Sequence, residues 1–255
     1  RENPKSSEAA LKYFVLGGLT SGLLLFGLSL TYAATGATQL GTLAAFLSQA
    51  PSPLLLVGVT LVLVAFMFKL SVVPFHMWTP DVYEGSPTPV TALMAALPKL
   101  AVAVALIRLL NGPLAPEMSL WQPAIASLAV LSMVLGSAVA IIQTNLKRLL
   151  AWSTIAHVGF MLTGVVAASM NGASGVLFYL TVYGLTTLGL FAAIIALNVE
   201  SPSDLKGLAQ TRPAMAITLL ILLFSLAGVP PFAGFMAKFA VFTAAVQAGY
   251  TWLAL

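Results

Sequence analysis

Seven long apolar stretches dominate this sequence of 255 residues and limit the folds open to it. A transmembrane helix needs about 20 mostly apolar residues. Charged residues make up 7% of the chain and apolar residues 60%, whereas about 25% of the residues in a soluble domain are charged. Because water would leave too much apolar surface unburied, we predict an all-α, polytopic transmembrane helical bundle that forms a single domain over residues 1–255.

The predicted spanning helices are separated by connectors rich in turn residues. They cover residues 9–33, 53–73, 88–110, 122–143, 149–169, 175–199 and 213–248. A segment at about 39–50 has helical apolar spacing but is too short to span, so we expect a helix along the membrane interface. One side of this topology collects the basic residues Arg1, Lys5, Lys147, Arg148, Lys206 and Arg212. The other side holds essentially Arg108, and the positive-inside rule places the first side in the cytoplasm.

Two predicted helices contain residues that interrupt a helix, and prolines do so by removing a backbone donor. The last helix, if unbroken, would reach roughly 54 Å across a hydrocarbon core of about 30 Å, so we predict a break at 228–234. The second helix is expected to kink or end near residue 74, followed by a polar, aromatic re-entry loop over 75–87. Broken helices in transporters mark ion pathways. The interrupting residues are Pro74, Gly228, Pro230, Pro231 and Gly234.

Three lysines, Lys69, Lys99 and Lys238, lie within the predicted apolar helices. A lysine at the centre of a spanning helix costs about 2.5–3.5 kcal/mol on insertion scales, so such residues are usually functional. Removal from water disfavours the charged ammonium form, and the amine can then exchange a proton near neutral pH. His157 lies near the middle of the fifth predicted helix, and its imidazole can also exchange a proton near neutral pH. We predict that these four residues form a proton relay.

Simpler roles remain open for several polar residues. Lys69, near its helix end, can snorkel to the interface, and His157 can equally be a packing histidine. His76 in the re-entry loop is either a relay member or a loop cap. Lys12 lies near a cytoplasmic helix end, where snorkelling is favoured. Structural roles are expected for Lys147 and Arg148, as topology determinants, and for Asp81 and Glu84, as loop residues or ion-pair partners.

The composition excludes several kinds of cofactor site. The sequence has no cysteine, which excludes disulfides, thiolate metal sites and cysteine-ligated iron–sulfur clusters within this chain. No glycine-rich phosphate loop follows a strand pattern. The basic residues are scattered, which does not favour nucleic acid as a partner. We therefore expect neither a metal nor a cofactor bound by this chain.

Three segments together resemble a known family. Residues 68–90 read FKLSVVPFHMWTPDVYEGSPTPV, residues 143–159 read QTNLKRLLAWSTIAHVG, and residues 225–239 read SLAGVPPFAGFMAKF. In this order they are similar to the signatures of subunit N (subunit 2) of respiratory complex I, the NADH–quinone oxidoreductase, within a wider antiporter-like proton-channel family. The family fold has two inverted repeats with one discontinuous helix in each. The resemblance implies that the second and last helices are those two, and that the chain is a fragment of a longer subunit.

The resemblance also implies roles for individual residues. It makes Lys69, Lys99 and Lys238 the relay lysines of the family. His157 and Lys147 match positions along the family's central polar axis, and Lys12 matches a lysine of the family near a cytoplasmic helix end. The family pairs the first of these lysines with a glutamate on a helix that would precede this segment, and Glu8 is not expected to replace it.

The function implied by the resemblance is proton translocation by a membrane-arm subunit, coupled to electron transfer from NADH to quinone in other subunits. NADH, FMN, iron–sulfur clusters and quinone are expected in those partner subunits. The other expected partners are further membrane-arm subunits, lipid, protons and ordered water. The implied location is the bacterial inner membrane, or alternatively the mitochondrial inner or thylakoid membrane. Two other functions stay open: a subunit of a cation/proton (Na⁺/H⁺) antiporter, and a non-conducting membrane scaffold.

Overall fold

A computed structural model describes residues 4–49 and 51–254. Within these residues the structure is helical and contains no strand, which confirms the predicted all-α class. Two residues used above, Arg1 in the charge asymmetry and Ala50 at the end of the predicted interfacial helix, lie outside the described residues.

Helices joined by short connections make up the described part of the chain. They are α1 (Pro4–Thr35), α2 (Leu40–Leu47), α3 (Pro53–Leu70), α4 (Trp78–Gly85), α5 (Thr88–Leu110), α6 (Met118–Ile141), α7 (Leu146–Val166), α8 (Met170–Leu197), α9 (Leu208–Thr211), α10 (Pro213–Ala227), α11 (Ala233–Gln247) and α12 (Thr251–Ala254), with short 3-10 turns at Ala115–Glu117 and Pro202–Leu205. Among the described residues, six of these helices, α1, α3, α5, α6, α7 and α8, are long and apolar enough to cross a membrane.

Side-chain caps set the start of three spanning helices. The hydroxyl of Ser52 accepts a hydrogen bond from the backbone N–H of Leu55, and Pro53 occupies the first turn of α3. Asn145 caps α7 and Ser169 caps α8 in the same way. Each cap satisfies a backbone donor that the first helical turn leaves free. These caps place the starts of α7 and α8 several residues earlier than the apolar pattern predicts.

The segment predicted as a re-entry loop contains a helix instead. α3 ends at Leu70, residues 71–77 form a break, and α4 follows. Ser71 ends α3 because it adopts the left-handed conformation, with a φ of 69°. Pro80 lies in the first turn of α4, where no intrahelical donor is required, and the nearby carboxylate of Asp81 favours a helix N-terminus. The loop prediction was therefore wrong for residues 78–85, because the polar composition of 75–87 gave no sign of a short helix.

A second break separates α10 from α11, and it covers residues 228–232. Gly228 ends α10 with a φ of 83°, and the two prolines follow. Each half-helix has 15 residues and is about 22 Å long, shorter than the hydrocarbon core. Gly234 lies inside α11 and not in the break. Its lack of a side chain lets α11 approach the carbonyl of Ser225, because a Cβ at this position would overlap that group.

α7 lies at the centre of the bundle and is the most enclosed of the six long helices. It packs against α6 through Gly136 and Gly159, where an added Cβ would collide with the facing backbone. Small residues of this kind let membrane helices approach closely. By contrast, α1 leaves large apolar side chains exposed, among them Phe14 and Leu25, as a surface that faces lipid would. The central position of α7 places His157 in the interior.

Candidate functional site

Lys99 is buried in the middle of α5 and is only 1% exposed. Its Nζ donates to the hydroxyl of Ser71 over 3.3 Å, and that hydroxyl also accepts from Thr79 Oγ1 over 2.7 Å. The same Nζ lies 6.0 Å from the ring centroid of Tyr83. Because Ser71 caps the C-terminus of α3, the amine faces the partial negative charge of a helix end. In the described part of the chain, no carboxylate pairs with Lys99.

Lys69 lies in the last turn of α3 and is partly exposed. Its Nζ is 6.0 Å from the ring centroid of Tyr13 in α1, which places the ammonium near the face of an aromatic ring. No hydrogen bond joins Lys69 to Lys99 among residues 4–49 and 51–254. Glu8 does not stand in for the expected glutamate partner, since its carboxylate pairs with Lys12.

His157 is the centre of a buried polar cluster between α7 and α8. Its Nδ1 is 2.5 Å from the hydroxyl of Tyr179, and its ring centroid is 5.3 Å from that of Tyr183. The hydroxyl of Tyr183 donates to Thr154 Oγ1 over 2.8 Å. Tyr83 of α4 is fully buried, and its hydroxyl lies near that of Thr154 but has no hydrogen-bond partner in the described part of the chain. Thr154 therefore stands between the surroundings of Lys99 and those of His157.

Lys238 in α11 turns back onto the break that precedes its helix. Its Nζ donates to the carbonyl oxygen of Ala227, the last residue of α10, over 2.9 Å. The Nζ also lies 4.7 Å from the ring centroid of Phe160. Lys99 thus contacts the hydroxyl of the residue that caps α3, and Lys238 contacts a carbonyl at the C-terminal end of the half-helix α10.

A small cavity joins Lys238 to the histidine cluster. It has a volume of about 10 Å³ and is lined by His157, Tyr179, Tyr183, Ser225 and Lys238, among others. This is room for roughly one water molecule with several polar partners. His157 and Lys238 also border an open cleft of about 410 Å³. The fold therefore brings the predicted residues His157 and Lys238 to one cavity.

The three residues predicted as relay or support lie elsewhere. His76 lies in the first break, with its ring centroid 5.3 Å from that of Trp152. Lys147 donates from Nζ to the carbonyl of Ser86 over 2.9 Å, and Lys12 forms an ion pair with Asp81 at 2.5 Å. None of the three has a hydrogen bond to Lys69, Lys99 or Lys238 in the described part of the chain.

The sequence interpretation missed the hydroxyl groups that surround the predicted relay. These are the side chains of Ser71, Thr79, Tyr83, Thr154, Tyr179 and Tyr183. A signal for two of them exists, because residues 179 and 183 are one helical turn apart and so share a face of α8. Within the described ranges, no group of three or more histidine or carboxylate side chains is arranged to hold a metal ion.

A family model described as "NADH:quinone oxidoreductase/Mrp antiporter, TM" matches residues 1–255. The chain belongs to this family. In the NADH:quinone oxidoreductase/Mrp antiporter family, a relative from Rhizobium meliloti (strain 1021) named "NADH-quinone oxidoreductase subunit N 1" is 50% identical over 262 residues. The match covers 100% of this chain and 55% of that relative. The chain spans about half the length of the curated relatives it matches, and the resemblance to subunit N is confirmed.

Solved structures of the NADH:quinone oxidoreductase/Mrp antiporter family share the fold. A chain of respiratory complex I from Thermus thermophilus is 38% identical, with a TM-score of 0.82 over 99% of this chain and 56% of that one. A chain of the Mrp complex from Dietzia sp. DQ12-45-1b is 28% identical, with a TM-score of 0.91 over 100% of this chain and 48% of that one. The protein is therefore a multi-pass helical membrane protein with an antiporter-like fold.

Proposed function

We propose that this chain forms part of a membrane subunit of NADH–quinone oxidoreductase that translocates protons across the bilayer. The observation that supports this function best is the buried series of polar side chains between two lysines. From Lys99 the series passes Tyr83, Thr154 and Tyr183, and it reaches Lys238 through His157 and the small cavity. A scaffold would not need ionisable groups in its interior, where each one is costly.

Proton transfer along this series requires groups that both accept and donate. A neutral lysine amine accepts a proton, an ammonium donates one, and hydroxyl groups do both. We propose that a proton held at Lys99 passes along the hydroxyl groups and water to His157, and then to Lys238. The route starts from Lys69, whose contact with Lys99 would be made by water. A proton that crosses 100 mV carries about 2.3 kcal/mol, so the route must close at each stage to avoid leakage.

The two helix breaks supply the switching element in this proposal. A helix C-terminus favours a cation within its last turn. Lys99 contacts the residue that caps such an end, and Lys238 contacts a carbonyl at another. A small movement of a half-helix would change how strongly its end holds the ammonium. In this way a conformational change produced elsewhere can alter which lysine keeps its proton, without a redox centre in this chain.

Partners supply the driving reaction in the proposed function. Electron transfer from NADH through FMN and iron–sulfur clusters to quinone would take place in other subunits. The chain would lie among other membrane-arm subunits in the bacterial inner membrane and cross it seven times, with α10 and α11 together counted as one crossing and α4 at the membrane face. The bacterial relatives named subunit N support this assignment.

Substitution of Lys99 in the full-length subunit, within the assembled and reconstituted enzyme, tests the proposal. Arginine keeps the positive charge but does not release its proton in a protein. We therefore expect Lys99→Arg and Lys99→Ala to lower NADH-driven proton uptake at least tenfold, while Lys206→Ala, in a surface loop, leaves it unchanged. Normal pumping by Lys99→Arg would contradict the relay.

The antiporter alternative is tested with the same proteoliposomes. The likeness to the Mrp complex chain makes sodium the ion to examine. Under the proposed function, proton uptake driven by NADH does not depend on sodium. Sodium flux that is stoichiometric with proton flux, and is lost in Lys99→Ala, would favour the antiporter instead.

A further inference from the structure

A network of charged side chains joins α4 to the helices on both sides of it. Arg148 of α7 donates from Nη1 to Asp81 over 2.8 Å and to Glu84 over 3.0 Å. On the other side of α4, Lys12 of α1 pairs with Asp81 and Lys5 pairs with Glu84, at 2.5 and 2.7 Å. Both carboxylates of α4 are thus held by α1 and α7 together.

Backbone contacts hold the end of α4 equally closely. Lys147 donates from Nζ to the carbonyl of Ser86, just beyond α4. A Cβ on Gly85 would overlap the carbonyl oxygen of Lys5 and lie 2.6 Å from the Cβ of Ala9, so α4 packs closely against the backbone of α1 at this point. The ion pairs and the packing of Gly85 on α1 together hold α4 against rotation about its axis and against sliding along α1.

The opposite face of α4 forms the surroundings of Lys99. Thr79 donates to Ser71, the residue that accepts from the lysine amine, and the ring of Tyr83 lies beside that amine. Thr79 and Tyr83 are four residues apart and share one helix face. Both are 0% exposed, whereas the side chains of Asp81 and Glu84 are 29% and 17% exposed. One helix therefore has a charged outer face and an inner face that contacts the relay.

We infer that Asp81, Glu84 and Arg148 are positioning residues that set the place of α4 and, through Thr79 and Tyr83, the proton equilibrium at Lys99. This inference rests on the proposed function, because it gives that function a point of control at the membrane face. A helix of 8 residues is too short to be stable by itself in water. Its position therefore depends on the side chains that hold it. A change in charge at the membrane face would move α4, a rigid helix of about two turns, and this movement would reach Ser71 and Lys99.

Amide hydrogen exchange in the assembled enzyme tests the mechanical half of the inference. The variant is Arg148→Gln, which removes the bridge between Asp81 and Glu84. The control is Arg212→Gln, an arginine whose Nη1 reaches only the carbonyl of Ala196 at 3.5 Å among its described side-chain contacts. We expect exchange over residues 72–86 to become about tenfold faster in Arg148→Gln and unchanged in the control, since local opening follows local contacts. Unchanged exchange in Arg148→Gln would overturn the inference.

The pH profile of NADH-driven proton uptake tests the link to Lys99. A purely structural defect would lower the rate at every pH by the same factor. If α4 sets the surroundings of the amine, the midpoint of the profile shifts in Arg148→Gln by about half a unit or more. Arg148→Lys restores part of the shift, because it keeps the positive charge and because a single nitrogen, Nη1, contacts both carboxylates in the unmodified enzyme. Faster exchange with an unshifted profile would overturn the positioning role.

These outcomes are separable from a failure of the proposed function. If Lys99→Ala pumps normally, the relay is wrong, yet hydrogen exchange still reports whether the ion pairs hold α4. If Arg148→Gln does not assemble, Glu84→Gln removes one acceptor and leaves the Arg148–Asp81 pair in place. We then expect a smaller acceleration of exchange and a smaller shift, in the same segment. Their absence in an assembled Glu84→Gln enzyme would also overturn the inference.

Discussion

The Nζ of Lys238 lies 2.9 Å from the carbonyl oxygen of Ala227, across the break between α10 and α11. The lysine is thereby held at the end of one half-helix while it belongs to the other. Gly228 makes this possible, since its φ of 83° ends α10 and it leaves room for the lysine side chain. The contact therefore ties the position of the lysine amine to the geometry of the break.

We expect Gly228→Ala to impair proton uptake more than it impairs stability. An alanine Cβ would lie 2.9 Å from Cδ of Lys238, so the lysine must leave its place, and the left-handed conformation adds about 1–2 kcal/mol of strain. The matched control is Gly207→Ala, which has a similar φ of 75° but no atom within 4 Å of the added Cβ. Both variants should lower the melting temperature, and only Gly228→Ala should lower uptake. Equal uptake in the two variants would argue against a role for this contact.

Tyr183→Phe removes one hydroxyl from the polar series and keeps the ring. The hydroxyl donates to Thr154 over 2.8 Å in the buried interior. We expect a stability loss of about 1 kcal/mol, typical of one hydrogen bond, and a much larger fall in proton uptake, of tenfold or more. Tyr32→Phe, at an exposed tyrosine of α1, is the control for loss of a hydroxyl. If proton uptake in Tyr183→Phe falls no more than the loss of stability accounts for, the hydroxyl has a structural role and no role in proton transfer.

The bundle and its two breaks were predictable because they depend on local properties of the chain. Apolar length indicates the spanning helices, and glycine and proline at 228–231 indicate the second break whatever surrounds them. α4 was not predictable in this way. Its residues are polar, and its helix is held by Lys5, Lys12 and Arg148, which lie more than 60 residues away along the chain. No local pattern reports such partners.

The residues of the candidate site also fall into those that local sequence predicts and those that it does not. Lys99 and His157 stand out because a titratable side chain is rare in an apolar helix. Tyr83, Tyr179 and Tyr183 do not stand out, since tyrosine is common in membrane proteins and only the packing of α4 and α8 against α7 turns their hydroxyl groups inward. The resemblance assigns Lys12 and Lys147 to family positions, whereas in the structure Lys12 contacts Asp81 of α4 and Lys147 contacts the carbonyl of Ser86, just beyond α4.

His157→Gln distinguishes the relay histidine from a packing histidine, which the sequence leaves open. Glutamine can keep a hydrogen bond to the Tyr179 hydroxyl, now 2.5 Å from Nδ1, but it does not take up a proton near neutral pH. We expect assembly and NADH–quinone turnover without a gradient to persist, with proton uptake per turnover reduced at least threefold. The ratio of uptake to turnover in proteoliposomes is the measurement. An unchanged ratio would assign His157 to packing.

The ion pairs of α4 should make stability depend on pH in the acid range. Hydrogen bonding from Lys5 is the main cause that lowers the pKa of Glu84 below its ordinary value of 4.5; burial opposes this effect, and Arg148 adds to it. For Asp81, burial raises the pKa, but hydrogen bonds from Lys12 and Arg148 outweigh it and hold the pKa below 3.8. A carboxylate whose pKa is lower in the folded state stabilises the fold above its unfolded pKa, and this contribution disappears as the pH falls through the folded value.

We therefore expect Glu84→Gln to lower the melting temperature at pH 7, where the carboxylate is charged and paired. The difference from the unmodified protein should shrink below pH 4.5 and vanish as Glu84 itself becomes protonated. At neutral pH the effect should be modest, because ion pairs that water reaches contribute little to stability, and it should be weaker at high salt. Melting curves in detergent between about pH 3 and pH 8 measure it, with Glu117→Gln as the control because the carboxylate of Glu117 forms no ion pair in the described part of the chain. A difference that stays constant across this range would mean that Glu84 acts through packing and not through its charge.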